Sequence, residues 1–152
     1  MSDICPECGA PLPESGDCRD YFYALLVLEA QVPDAAGSLL HFYTVSAYVL
    51  QHPVGFNYTL EAITHLRRNF AEALDGRATL ADIRRRNRRV LDGPARVTRR
   101  PGDAAVCWYS GRWPMTALEV CTAGVEDYAE GVLRWAHSIR RTLDVEMPEM
   151  TA

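Results

Sequence analysis

Residues Asp17–Pro53 read DCRDYFYALLVLEAQVPDAAGSLLHFYTVSAYVLQHP, and the fold turns on how the two apolar runs in this stretch are taken. In the first run Tyr21, Phe22, Ala24, Leu25, Leu26, Val27 and Leu28 are apolar nearly all round. A helix is predicted from Asp17, its N-cap, to Gln31, stopped by Pro33 and expected to be central and largely buried. The second run predicts a helix from Ser38 to His52, because Pro53 disfavours helical backbone in the residue before it. So short a connection makes the two helices antiparallel neighbours.

Ahead of this pair lies Cys5-Pro6-Glu7-Cys8-Gly9, the spacing of a zinc knuckle. The turn aims two thiolates at one centre, and glycine relieves the tight backbone. Cys18 falls in the first turn of the first helix, where the helix N-terminus favours a thiolate. A tetrahedral site needs one more ligand. His41 and His52 share a helix face but stand about 16 Å apart along its axis, so one metal cannot take both. Antiparallel pairing sets Cys18 against His52, Phe22 against Tyr48, Leu25 against Val45 and Glu29 against His41. The expected metal ligands are therefore Cys5, Cys8, Cys18 and His52, a closed Cys₃His zinc site of the structural kind. The competing readings are a redox dithiol, for which the strand-to-helix context is missing, and a His52 that bonds the last helical carbonyls.

The same register brings Glu29 to His41. A carboxylate beside an imidazole is either a satisfied buried polar pair or a general base with its orienting group. Glu29 and His41 are thus the candidate catalytic residues, with Tyr43, Tyr48 and His65 as further candidates for such a site.

Beyond Pro53 the pattern stays helical. Leu60, Ile63, Leu66, Phe70, Ala73 and Leu74 predict an amphipathic helix over Thr59–Leu74, with Arg67, Arg68 and Glu72 facing water and Gly76 as its stop. Thr79 and Asp82 open a helix that carries Arg84, Arg85, Arg86, Arg88 and Arg89 and ends near Leu91. Residues 93–114 break the periodicity. They read as a short β-hairpin of Arg96–Arg100 with Val106–Tyr109, or as a long ordered loop pinned by Trp108 and Trp113. Thr116 and Glu119 form a capping box for a short helix ending near Gly124. The last helix runs over Val125–Leu143 with Tyr128, Val132, Trp135, Ile139 and Leu143 as its apolar stripe.

A chain of 152 residues with a net charge of −4 has the size and balance of one globular domain without a field that recruits nucleic acid or anionic membrane. All 16 basic residues are arginine, and eight of them fall between 84 and 100. That density would suit phosphate contacts, but it reads first as a solvated helix face, since neither interleaved aromatics nor a helix-turn-helix accompany it. Residues 35–60 lack Asp, Glu, Lys and Arg, yet the apolar core of the run, Leu39–Leu50, is short of the ~20 residues a membrane span needs. Five cysteines with no visible secretory signal point to a reducing compartment, the cytoplasm, and to metal rather than disulfides.

The Cys-Pro-x-Cys-Gly start, Cys18, Glu29, His41-Phe42, Tyr48-x-Leu50-Gln51-His52-Pro53 and Trp113-Pro114-Met115-Thr116 resemble an uncharacterised family of small bacterial proteins. That resemblance spans most of the chain and implies no particular activity. A more distant likeness is to the metal-dependent four-helix family of damage-inducible and thiol-transferase proteins, whose two histidines four residues apart have no counterpart here.

The sequence thus predicts a mainly α, bundle-like single domain: a zinc-knuckle segment (1–16), a helical body (17–144) and a frayed tail (145–152). The expected role is that of a small cytoplasmic zinc-binding protein with a structural metal. The alternatives are a metal-dependent or general-base enzyme using Glu29 and His41, and an adaptor that binds nucleic acid or protein through the arginine-rich 84–100 segment.

Overall fold

The structure, a computed structural model, describes residues 3–35, 37–106 and 112–148. Six helices make up the described architecture: α1 (Arg19–Glu29), α2 (Leu39–Gln51), α3 (Leu60–Leu74), α4 (Leu80–Asp92), α5 (Ala117–Ala123) and α6 (Tyr128–Glu146). The β structure among these residues is confined to two isolated bridges, Ile4 with Pro11 and Tyr58 with Thr98. The fold is all-α.

Local chemistry starts most of these helices. The Ser38 hydroxyl accepts from the Leu40 amide and Thr59 from the Ala62 amide, while Thr79 with Asp82 and Thr116 with Glu119 close capping boxes. α1 differs. Its N-cap is Cys18, without a side-chain cap bond, although Asp17 Oδ1 still accepts from the Arg19 amide at 2.8 Å.

The core is organised by α2 and α6. The apolar run of α2 buries Tyr43 through Gln51 except Val45, and packs chiefly on α6 and α3. The stripe Tyr128, Val132, Trp135, Ile139 and Leu143 of α6 is fully enclosed against it. The helix α1 is more peripheral than its composition predicts. It buries Leu25 and Glu29 and rides mainly on α5, leaving Tyr23 and Val27 54% and 64% exposed. Composition alone cannot tell which apolar helix takes the centre, because that depends on which faces α6 and α3 cover, and they pack on α2 while α5 packs on α1.

Two further expectations are corrected and a third is narrowed. Arg67 does not face water. It is 3% exposed, donates to the Met147 carbonyl at 3.0 Å, and with the Arg140–Asp75 ion pair ties α3 to α6. Of the hairpin and the long loop expected after α4, the described residues 94–106 are loop apart from a bridge from Thr98 back to Tyr58, and the Thr59 amide donates to the Val97 carbonyl. The proposed second strand, from residue 107 on, and Trp108 lie outside the described residues, whereas Trp113 is buried. Finally, α6 continues to Glu146, three residues past its expected end, and residues 149–152 of the tail lie outside the described residues. Among the described residues no helix is long and apolar enough to cross a membrane.

Candidate metal centre

Cys5, Cys8, Cys18 and His52 come together with one donor atom each, all four within 4.8 Å of one another and all buried. Local turns do part of this work. The Gly9 amide donates to the Cys5 carbonyl at 2.9 Å and the Cys5 amide to the Ala10 carbonyl at 2.8 Å, closing the knuckle so that its two sulfurs converge. Gly9 sits at φ +83°, a backbone conformation that a side chain would strain. The Ala10 amide points at the Cys8 sulfur at 3.4 Å.

The helix pair supplies the other half. Cys18 caps the start of α1 and His52 the end of α2. Their Sγ and Nε2 atoms stand 3.3 Å apart, and Cys18 Sγ lies 3.6 Å from Cys8 Sγ. The sulfurs are not bonded, since a disulfide would need about 2.05 Å. Zinc at about 2.3 Å from sulfur and 2.0–2.1 Å from nitrogen makes tetrahedral edges of roughly 3.5–3.8 Å, close to both separations. The His52 ring is held in a ligating orientation. Its Nδ1 lies 2.7 Å from the Tyr48 carbonyl, and the ring stacks on Tyr48 at 3.9 Å between centroids. Donation from Nδ1 to that carbonyl leaves the Nε2 lone pair facing the sulfurs.

Electrostatics make the cluster uncomfortable without a cation. Hydrogen bonding from Cys18 and then Cys8 pushes the Cys5 thiol down, while the same Cys18, then Cys5 and burial, push the Cys8 thiol up. Burial opposes protonation of His52, but contacts with Cys18 and Cys5 outweigh it and raise its pKa to about 9. A divalent cation would let all three sulfurs ionise together. Cys121 stands apart. Its thiol donates to the Tyr21 carbonyl at 3.1 Å, and burial pushes its pKa up to about 11.

One residue that holds this end together is inconspicuous in the sequence. The Glu7 carboxylate, inside the knuckle, accepts from the Val54 amide at 2.9 Å and the Gly55 amide at 3.2 Å, pinning the knuckle to the turn after α2. Its position between the two cysteines is the one signal that could point to it. Replacing Glu7 by Ala removes both acceptors. Because they are exposed, the expected cost is only about 1 kcal/mol, measurable by denaturant unfolding.

At the far end of the pair the Glu29–His41 contact is present, Oε2 to Nδ1 at 2.5 Å. Tyr128 donates to the other carboxylate oxygen at 2.9 Å, and the Thr44 and Tyr128 hydroxyls lie 2.7 Å apart. Tyr128 reads in sequence as part of an apolar stripe, so its hydroxyl partner is not legible there. The remaining candidates go elsewhere: Tyr43 packs edge-on to Phe70, Tyr48 stacks on His52, and His65 pairs with Asn87 and Asn69. Replacing Tyr128 by Phe strips a donor from a buried carboxylate. The expected destabilisation is about 1.5–3 kcal/mol by equilibrium unfolding, with His41→Ala costing less because His41 is half-exposed.

No curated protein and no solved structure matches the chain. A family model does, over residues 3–144, and the chain belongs to that family of unknown function, DUF5946.

Proposed function

We propose that Cys5, Cys8, Cys18 and His52 are the ligands of one structural Zn²⁺, and that the protein is a small zinc-stabilised helical scaffold of the cytoplasm. The observation that carries this reading is the convergence of four buried soft donors, with His52 Nδ1 engaged by a backbone carbonyl and Nε2 turned to the sulfurs. Thiolate-rich tetrahedral sets favour zinc, and four protein ligands leave no open position for a reacting water. When bound, zinc supplies binding free energy to folding rather than chemistry on a substrate. The chain's own residues do the rest: Glu7 anchors the knuckle, and Tyr48 orients the imidazole.

Two further parts of the reading have separate supports. The four described cysteines are free thiols, which suits a reducing compartment. The knuckle segment (1–16) and the helical body (17–144) contribute to a single apolar cluster, which supports one domain, and Met147 of the expected tail packs against the same cluster. For Glu29 and His41 we infer a structural role, with the carboxylate satisfied by His41 and Tyr128.

Metal analysis of the purified protein tests the proposal. About one zinc per chain is expected, lost in Cys5→Ser and in His52→Ala and kept in His41→Ala. Full zinc content in the His52 and Cys5 variants, or loss of zinc on changing His41, would overturn the ligand set.

A further inference from the structure

The arginine-rich helix α4 stands off from the rest of the molecule. Its backbone makes little close contact with the other helices, and it is held by buried Ile83 and a polar bridge to α3. In that bridge Arg86 reaches Asn69 at 3.1 Å and Glu72 at 2.5 Å, and Asn87 meets His65 at 3.0 Å. The bridge acts as a spacer. It leaves two adjoining hollows of about 530 and 230 Å³ between α3, α4 and the 95–97 segment, both lined by Ala62, His65 and Val90.

The floor of this groove is aliphatic, with Leu66, Val90 and Val97. Two large apolar side chains lie at its edges, Leu60 at 54% and Leu91 at 72% exposure. Arg68 and Arg96 line the larger hollow together with one acid, Glu61, and Arg96 is paired with Asp103 at 3.0 Å. Arg84 and Arg88 precede Leu91 by seven and three residues and so share its side of α4. Of the eight arginines between residues 84 and 100, Arg85, Arg86 and Arg96 are paired with Asp82, Glu72 and Asp103, and Arg84 donates to the Gly37 carbonyl. Arg88 and Arg89 are exposed and make no ion pair among the described residues.

We propose that this groove is a docking site for an acidic peptide segment of a partner protein, carrying apolar side chains that cover Leu60 and Leu91. Charge complementarity selects the acidic character, and the aliphatic floor selects apolar anchors. A nucleic-acid strand would match the arginines but would leave the leucines uncovered, since stacking on aromatic rings rather than aliphatic contact holds bases. The site is independent of the metal centre.

The probe is a fluorescein-labelled peptide of about 16 residues with leucines at helical i, i+3, i+4 and i+7 positions on a glutamate background. Its controls are a Ser-for-Leu version and a single-stranded DNA of about 20 nucleotides, with anisotropy read on the full-length protein. Saturable binding is expected, weakened about 10-fold by Leu91→Asp and by Arg88→Glu, and lost with the serine peptide. Both replaced residues are exposed, and unchanged thermal unfolding of the variants will show that the fold is kept. The proposal is overturned by peptide binding that ignores Leu91→Asp or by absence of peptide binding. DNA binding tighter than the peptide's, sensitive to Arg88→Glu and not to Leu91→Asp, overturns it in favour of a nucleic-acid face.

Discussion

Stripping the metal with a strong chelator is expected to lower the thermal midpoint by about 8–16 °C, corresponding to about 4 kcal/mol for a ligand at roughly a thousand times its dissociation constant. The reason lies in the cluster itself. Without a cation, three sulfurs and an imidazole remain buried in mutual contact, with the Cys8 thiol pushed up and the Cys5 thiol pushed down by their neighbours. Residues 3–16 contain no helix, so with the clasp open they are held mainly by the Glu7 contacts, the Tyr21–Pro11 hydrogen bond and the packing of Ala10 and Leu12 against the core. The α2–α6 core should survive, because the buried stripe of α6 (Tyr128, Val132, Trp135, Ile139 and Leu143) contains none of the four clustered residues. Differential scanning calorimetry before and after chelation, with zinc added back, checks this. Far-UV circular dichroism should fall only slightly while the midpoint falls strongly. Acid should act in the same direction, because protons compete with zinc for the thiolates and for His52. A midpoint indifferent to chelation would show that the cluster carries no stabilising ion.

Trp135→Ala is expected to be the most damaging single core substitution, costing about 3–5 kcal/mol. Trp135 is fully enclosed at the middle of α6, facing the most buried helix of the fold. Its indole also donates to Gln51 Oε1 at 3.3 Å, while Gln51 Nε2 donates to the Met115 carbonyl at 2.8 Å. Gln51 thus joins the end of α2 to the segment just before α5 and to the middle of α6 through one buried amide. Changing Gln51 to Leu leaves the Met115 carbonyl and the indole without that amide, at an expected cost of about 1–3 kcal/mol. Urea unfolding of Trp135→Phe, Gln51→Leu and the double variant closes the test. A coupling energy of about 0.5–3 kcal/mol is expected, and additive losses would mean that the hydrogen bond contributes nothing.

Much of this fold is readable from periodicity and caps. Thr59, Thr79 with Asp82, and Thr116 with Glu119 mark helix starts, and the structure has helices following each of them. The end-to-end contacts of the first helix pair are also legible, because a short antiparallel connection permits few registers. Cys18 meets His52, Phe22 stacks on Tyr48 at 4.5 Å, and Glu29 meets His41. The points on which the sequence misleads share one cause. Arg67 looks solvent-facing and Tyr128 looks merely apolar because a side chain's partners across space are not encoded in its spacing. The same holds for Thr98, whose bridge to Tyr58 is not encoded in the spacing of either stretch.

By itself, then, the sequence determined the helices and brought a thiol-rich knuckle within reach of one helix pair, because capping, apolar period and loop length are local properties. Only the tertiary structure decided that α2 rather than α1 lies at the centre, that Glu7 and Tyr48 support the cysteine–histidine cluster, and that a polar spacer holds α4 off α3. These are outcomes of competition among apolar faces and of hydrogen bonds between distant residues. Such contacts are fixed when the whole chain packs, and no single stretch contains them.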